Sequence, residues 1–380
     1  MKICIDRREL LKGLQRVQGV VEKRNTMPIL SNILLDAEKE DSVVSLFATD
    51  MEIAIQASYP AEVIRKGKTT LSARKVYEIV KELPEGPVTL QQQENQWVQI
   101  EAGKSKFKMA ALSAEDFPLA PAVKEEISVR LSAKNLSELF KKTVFAVGEN
   151  DSRYILNGLL VNVQVQGSKK VLRLAGTDGH RLAVIEREDF EHFFPDGEPG
   201  GDKELQAVVP KKAIFEMKKL IEEGEEELLI SLAKNQIIFK KGDLVLYSRL
   251  MEGNYPNYSQ VIPKANDKTV SVKKWDLERA IRRVAILSKE KTHAVQFSFE
   301  ENRLFLSTQS SELGEAEDEI AIVYKGDKIG TGFNARYVLD ALSVIENEEV
   351  LIELKDSLSP TLFKDPGDKK YLCVIMPMRV

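Results

Sequence analysis

Cysteine is nearly missing from this chain: Cys4 and Cys373 stand at opposite ends of 380 residues. Two isolated thiols cannot build a disulfide framework, and they read as small buried hydrophobes of a reducing compartment. Histidine is almost as scarce, with only His180, His192 and His293. No Walker loop, Cys-x-x-Cys, His-Glu-x-x-His or Gly-x-Ser-x-Gly occurs, so the common phosphate-, metal- and nucleophile-based chemistries lack their motifs. Gly330-Thr-Gly332 precedes a helix, but it has neither a third glycine nor a βαβ unit around it. No metal or other cofactor is expected. No apolar run approaches the roughly 20 residues that span a bilayer. Met1-Lys-Ile-Cys-Ile-Asp opens a strand rather than a signal segment, so a cytoplasmic protein without a membrane partner is expected. A surplus of one charge sign is also lacking: 55 Lys and Arg meet 59 Asp and Glu, for a net −4. That balance argues against indiscriminate nucleic-acid binding, yet it does not say where the cations sit.

What the chain does have is a threefold repeat. An apolar-periodic segment, a turn and an alternating strand recur over Leu10–Leu35, Leu136–Val161 and Leu277–Phe299. Each is followed by a strand-like stretch carrying Thr49-Asp50, Thr177-Asp178 or Thr308-Gln309, and then by a helix start at Leu71-Ser-Ala-Arg, Val209-Pro-Lys-Lys or Phe333-Asn-Ala-Arg. The Thr pairs lie 128 and 131 residues apart, which is the size of a domain and too long for a solenoid repeat. Three domains are expected, 1–126, 127–267 and 268–380, with boundaries near Pro118–Glu126 and Pro263–Lys268. Helical spacing predicts helices over Arg7–Val20, Ala73–Leu83, Ala133–Val144, Lys211–Glu222, Trp275–Ile286 and Ala335–Ile345. Ser72, Pro210 and Asn334 suit helix starts. Period two predicts strands over Ile29–Leu35, Val43–Thr49, Glu52–Ala57, Val88–Gln92, Trp97–Glu101 and Lys106–Ala110, and in the second third Leu228–Leu232, Gln236–Lys240 and Leu244–Arg249. Two helices among alternating strands per third imply an α+β class with antiparallel sheets covered by helices on one face. Gly and Pro make Phe194–Lys203 a loop.

The cations gather on the predicted helices. Lys211, Lys212, Lys218 and Lys219 share a stripe, Arg279, Arg282 and Arg283 form a second patch, Lys141-Lys142 a third, and Arg74, Lys75 and Arg336 open their helices. Acidic residues gather in strands and loops, at Glu222–Glu227, Glu312–Glu319 and Glu346–Glu349. A basic helical face inside an acidic protein fits phosphate contacts that read backbone charge and not sequence. Two edge-strand candidates carry opposite charge. Lys104, Lys106 and Lys108 alternate along one, Glu315, Glu317 and Glu319 along the other. Each could pair with the other in a second copy, which would close a ring of six domains. Phe107, Ile286 and Leu287 would form the apolar centre of that interface, with the lysine and glutamate strands as its polar rim, and Lys75 is also expected in it. Asp178 and His180 could in principle pair as orienter and base. Thr49-Asp50-Met-Glu occupies the same repeat position without a histidine, so an enzymatic reading ranks below a binding one. A monomeric DNA-binding module, its three domains in an open arc, is the other alternative.

Over its whole length the chain resembles the bacterial sliding clamps, the beta subunits of DNA polymerase III. The resemblance is carried by Thr26-Met-Pro-Ile-Leu-Ser-Asn-Ile-Leu-Leu35, Asp151-Ser-Arg-Tyr-Ile-Leu-Asn-Gly158, Thr177-Asp-Gly-His-Arg-Leu-Ala183, Tyr255-Pro-Asn-Tyr258, Ala285-Ile-Leu-Ser-Lys-Glu-Lys291 and Val374-Ile-Met-Pro-Met-Arg-Val380. It implies the DNA clamp fold, a head-to-tail homodimeric ring whose helices line a hole around duplex DNA. It also implies a non-catalytic processivity role. The partners implied are sequence-independent double-stranded DNA, the polymerase III alpha subunit, the clamp loader, and other polymerases and repair proteins with short clamp-binding peptides. Carried over by position, the peptide pocket consists of Leu156, Thr177, Gly179, His180, Arg181, Leu182, Pro256, Val261, Tyr337, Leu358, Pro360, Val374, Met376, Pro377, Met378 and Arg379. The implied DNA contacts are Arg24, Arg74, Asn150, Arg153, Tyr154 and Lys212. Three positions depart from the family pattern: Gln260 stands where an arginine is common, Pro360 where a serine is, and Ile155 where a second tyrosine is.

Overall fold

The computed structural model describes residues 1–21, 27–40, 42–194, 202–222, 227–289 and 292–379. Among them are six α-helices: α1 (Arg7–Gln18), α2 (Ala73–Glu82), α3 (Ala133–Lys141), α4 (Lys211–Ile221), α5 (Lys274–Ala285) and α6 (Ala335–Ser343). Each falls where the helical spacing put it. Leu10, Leu14 and Val17 bury one face of α1, and the Asp6 carboxylate accepts from the Arg8 N–H at its start. Asn334 caps α6 through the N–H groups of Arg336 and Tyr337. Pro210 directly precedes α4, where a missing N–H costs nothing. Ser72 stands at the start of α2 but makes no side-chain cap bond.

The strands agree with period two, with one exception of kind. Pro28–Ser31 is a 3₁₀ turn, and the strand begins only at Asn32. Proline fixes the backbone angle that a first helical turn needs and removes a ladder donor, so the expected strand is halved. Glu62–Arg65 and Lys68–Ser72 are strands that the alternation did not single out. The expected Phe194–Lys203 loop lies mostly outside the described residues, and its last residue already belongs to a strand, Lys203–Pro210.

Contacts divide the chain into two compact units, residues 1–136, 190–199 and 212–250 in one and residues 137–189, 200–211 and 251–380 in the other. Each unit holds two sheets, and every strand pairing among the described residues is antiparallel. In the first unit a nine-stranded sheet joins strands of the first and second thirds. Its joint is Leu244–Arg249 against Ile53–Pro60, with Leu246 opposite Ile55 and Tyr247 opposite Ala54. In the second unit an eight-stranded sheet joins the second and third thirds through Tyr371–Ile375 against Arg181–Arg187, with Val374 opposite Leu182. Both joints have one pattern: the last strand of a third pairs with the strand after the Thr-Asp turn of the third before it.

The remaining sheets end in open edges. Ser105–Ala110 is the last strand of a five-stranded sheet, and Gly314–Ala321 the last of a four-stranded one. These are the same two strand positions, and each is paired on one side only.

Candidate functional site

The Thr-Asp turns explain why the repeat keeps them. The Thr177 hydroxyl donates to the Arg181 carbonyl (2.6 Å) and accepts from the Gly179 N–H (3.0 Å). The Asp178 carboxylate accepts from the N–H groups of His180 (2.9 Å) and Arg181 (3.0 Å). In the first third the Thr49 hydroxyl donates to the Ile53 carbonyl and accepts from the Met51 N–H, while Asp50 accepts from the N–H groups of Glu52 and Ile53. These short polar side chains satisfy a turn that strand pairing cannot. Thr308 departs from the pattern: its hydroxyl donates to the Ala294 carbonyl, and it pairs with Ala316 in a strand.

Asp178 also accepts from the Arg181 guanidinium (3.0 Å). Its oxygens are thus occupied by backbone and Arg181, not by the imidazole of His180. His180 instead stacks on Tyr337, ring centroids 6.5 Å apart. Arg181 is largely buried, pairs with Asp340 of α6 as well, and lies 4.4 Å above the Tyr337 ring. This constellation fastens a turn to a helix.

Beside the turn lies a cavity of about 130 Å³. Of the sequence-derived pocket residues, Leu156, Thr177, Gly179, Arg181, Leu182, Pro256, Val261, Val374 and Met376 line it. His180, Tyr337, Leu358, Pro360, Pro377, Met378 and Arg379 do not. Leu358 is 69% exposed and Arg379 exposed, while Pro360, Pro377 and Met378 are half-buried. Arg153, Asn257 and Tyr258 complete the lining. By the family resemblance Arg153 is an expected DNA contact, and Asn257 and Tyr258 belong to the Tyr255–Tyr258 motif.

The floor is apolar. Leu182 and Val374 belong to a buried cluster with Leu160, Ala175, Val184 and Leu362, and Ile155, Tyr255 and Tyr258 pack against it. Ile155 therefore turns toward this core, which explains an apolar residue at that position. The Tyr255 hydroxyl accepts from the Thr177 N–H (3.1 Å) and donates to the Ala175 carbonyl (3.2 Å). Burial raises its pKa well above the ordinary phenol value. At the rim, Arg153 donates to both oxygens of Asp151 and to the Asp178 carbonyl (2.9 Å). Arg153 hydrogen bonds hold the Asp151 carboxyl down to about 2. Gly179 has φ +81°, and a Cβ there would come within 2.6 Å of the Arg153 guanidinium. The positive φ favours glycine here, and any side chain would have to displace the guanidinium. The Met376 N–H donates to the His180 carbonyl (2.9 Å) and that of Met378 to the Gly332 carbonyl (2.9 Å), which fastens the end of the chain to the turn and to the strand Ile329–Asn334, with Met376 alone of these residues at the cavity.

The expected DNA contacts are less uniform. Arg24 lies outside the described residues. Asn150, Arg153 and Tyr154 share one exposed turn, with Tyr154 67% exposed and Asn150 at φ +55°. Arg74 and Lys75 of α2 both bond Glu78 at 2.8 Å. Lys212 pairs with Asp50, and Lys211 with Glu149. Arg279 stacks on Trp275, and Arg283 pairs with Asp318. The Lys141-Lys142 patch is not a surface pair. Lys142 is buried, bonded to Asp368 (2.7 Å) and Glu138 (3.1 Å), and Arg187 bonds the same two carboxylates. Cys373 is buried and its thiol is pushed up to about 12 by burial, whereas Cys4 is only half-buried; both are free.

Of the expected interface residues, Lys106, Phe107 and Lys108 lie on the open edge Ser105–Ala110, with Lys104 in the preceding turn. Glu315, Glu317 and Glu319 lie on the open edge Gly314–Ala321. Phe107 is 39% exposed, and Ile286, which follows α5, is 74% exposed with half-buried Leu287 next to it. Lys106 meanwhile bonds Glu101 of its own sheet (2.9 Å).

Comparisons with known proteins follow the same threefold division. Family models of the DNA polymerase III beta subunit match in order: the N-terminal domain over residues 1–121, the central domain over 130–257 and the C-terminal domain over 259–379. The beta sliding clamp of Caulobacter vibrioides is 37% identical over the full length of both chains. The crystal structure of the DNA polymerase III beta subunit of Pseudomonas aeruginosa matches with TM-score 0.92 and 34% identity, each chain fully covered. A sliding clamp of Bartonella birtlesii, solved bound to griselimycin, matches with TM-score 0.92 and 35% identity at the same coverage. The chain belongs to the DNA polymerase III beta subunit family, the beta sliding clamps.

Proposed function

We propose that two copies of this sliding clamp join head to tail into a ring of six domains that encircles duplex DNA. On that ring, the pocket beside Thr177–Leu182 takes short peptides of the replicative polymerase, the clamp loader and repair proteins. The protein acts by tethering, in the cytoplasm, and carries out no reaction of its own.

The observation that carries this reading is the pair of open edges. Within the chain, the last strand of the second third pairs with the first third, and the last strand of the third with the second. The one joint of this type left unmade needs Ser105–Ala110 from one copy and Gly314–Ala321 from another. Opposite residues of an antiparallel pair share a face. Phe107 and Met109 share theirs with buried Ile100 and Val98, and Ala316 and Asp318 share theirs with Thr308 and Leu306. Matching those faces brings Lys106 and Lys108 opposite the glutamates. Such an edge, charged with one sign, resists pairing with its own kind and accepts the other.

A ring binds by topology, so its direct contacts with phosphate can be few and salt-sensitive. The test combines mass in solution with retention on DNA. A mass of two chains, with loaded protein held on closed circles and lost from linear DNA, is the expected result. A monomer at micromolar concentration, or equal loss from both DNAs, would overturn it in favour of an open arc.

A further inference from the structure

The joint between the first and second thirds repeats the geometry of the Thr177 pocket, and it too encloses a cavity of about 130 Å³. The correspondence extends to single bonds. The Arg249 N–H donates to the Glu52 carbonyl (2.9 Å) just as the Met376 N–H donates to the His180 carbonyl (2.9 Å). Tyr247 stands opposite Ala54 as Val374 stands opposite Leu182. Pro118 follows Phe117, and Pro256 follows Tyr255. Both aromatic rings belong with the apolar cluster of their joint: Phe117 lies edge-on to Phe47 in the cluster that holds Ala54, and Tyr255 packs against the cluster that holds Leu182. In the sequence, Thr49-Asp50-Met-Glu occupies the same repeat position as the Thr177 turn.

We propose that this first joint is a second peptide-docking site, taking one aliphatic side chain of a short linear segment of a partner protein. Three features fit that occupant. Leu119 is 90% exposed and Met51 44% exposed, and both line the cavity, so its mouth offers apolar surface to an incoming side chain. Met51 keeps its side chain at φ +77°, the position where the other pocket uses glycine. An L-residue there is strained, and such strain persists where a site holds it. Gln236 lines the cavity, and its Oε1 is a buried acceptor without a hydrogen-bond partner. Gln236 itself is only half-buried, so rotation of its side chain turns that oxygen outward to accept from the backbone N–H of an extended peptide, while the peptide's aliphatic side chain enters the cavity that Ala54 and Tyr247 line. The cavity volume admits one side chain, not a helix. The rims differ, however. Arg249 and Glu52, 3.7 Å apart, stand here in place of Met376 and His180, so this site prefers a peptide with polar flanks.

The inference rests on the peptide-docking reading of the Thr177 pocket, and its test reads the two sites separately. The full-length protein is labelled with ¹³C at the methionine methyl groups, and N-acetyl-leucyl-leucine amide is titrated as the probe. Met51 reports the first joint and Met376 the second. Saturable shifts at Met51 are expected, weakened at least fivefold by Leu119→Asp and by Gln236→Leu, with the Met376 response unchanged. Leu119 is so exposed that its substitution leaves folding intact. A Met51 resonance that does not shift when Met376 has saturated overturns the second site and leaves the first reading standing. A Met51 response equal in wild type and both variants overturns it as well. Silence at Met376 counts against the Thr177 pocket instead.

Discussion

At the scale of single residues, charges that look alike in the sequence have opposite fates. Lys141 and Lys142 are neighbours, yet Lys142 is buried against Asp368, 226 residues away, and shares it with Arg187. Burial alone would raise the Glu138 and Asp368 carboxyls; hydrogen bonds from Arg187 and Lys142 outweigh it and hold both below the usual range. Burial likewise works against charged Lys142, and the same bonds raise it overall. A carboxylate depressed in the folded state contributes stability above its unfolded pKa of about 4, and loses it as pH falls through the folded value. Asp368→Asn should therefore cost about 3 kcal/mol at pH 7, since it leaves two cations with one buried partner. It should also flatten the decline in stability below about pH 5. Urea unfolding at a series of pH values measures both, and a variant as stable as wild type would remove the network from the account. Gly179→Ala should displace Arg153 from the pocket rim and cost about 1 kcal/mol in stability, from the positive φ and the close guanidinium together. Peptide affinity, followed by fluorescence anisotropy, should fall with it.

At the scale of elements, periodicity told where helices and strands lie, and the six helices and most strands sit within a few residues of expectation. Spacing along the chain cannot say which strands meet. The joints of Leu244–Arg249 with Ile53–Pro60 and of Tyr371–Ile375 with Arg181–Arg187 span nearly 200 residues each, and no local signal marks them. The pocket beside the second joint was legible in part for the same reason. Thr177, Leu182 and Met376 were named from the family resemblance, whereas Arg153 enters the lining only because Asp151 turns its guanidinium toward the Asp178 carbonyl. Similarly, Thr308 matched Thr49 by spacing but makes a different bond, because the turn of the third repeat comes two residues later, where the Ser310 hydroxyl accepts from the Glu312 and Leu313 N–H groups. The edges, by contrast, were readable from charge alternation, since an open strand must discourage its own kind. Reversing Lys104, Lys106 and Lys108 to Glu should give monomers in sedimentation equilibrium, by placing like charges across the joint. Reversing Glu315, Glu317 and Glu319 as well should restore the dimer. A dimer unmoved by the first change would place the interface elsewhere. Deleting the last five residues removes the Met376 and Met378 backbone bonds. It should abolish peptide binding, a loss of roughly 2 kcal/mol or more for a central anchor. The dimer should survive, because neither open edge is touched.

At the scale of the whole molecule, the acidic total and the basic helices are two halves of one design. A net charge of −4 keeps the surface from adhering to DNA at random. Many helix cations already have carboxylate partners, Lys212 with Asp50 and Arg74 with Glu78 among them. Paired in this way, they contribute little to the counterion release that drives tight DNA binding. A protein that held DNA by affinity would leave them free; one that holds it by enclosure needs only weak, mobile contacts. Direct binding to short duplexes should accordingly be weak already at about 50 mM salt and fall further by about 200 mM. If the proposed ring forms, protein already loaded on a closed circle should be nearly indifferent to the same rise, because escape would require an edge joint to open. Cutting the circle with a restriction enzyme should release it at once, with no change in ionic strength. Loss from intact circles that tracked salt as closely as short-duplex binding does would mean that contacts, and not closure, hold the protein on DNA.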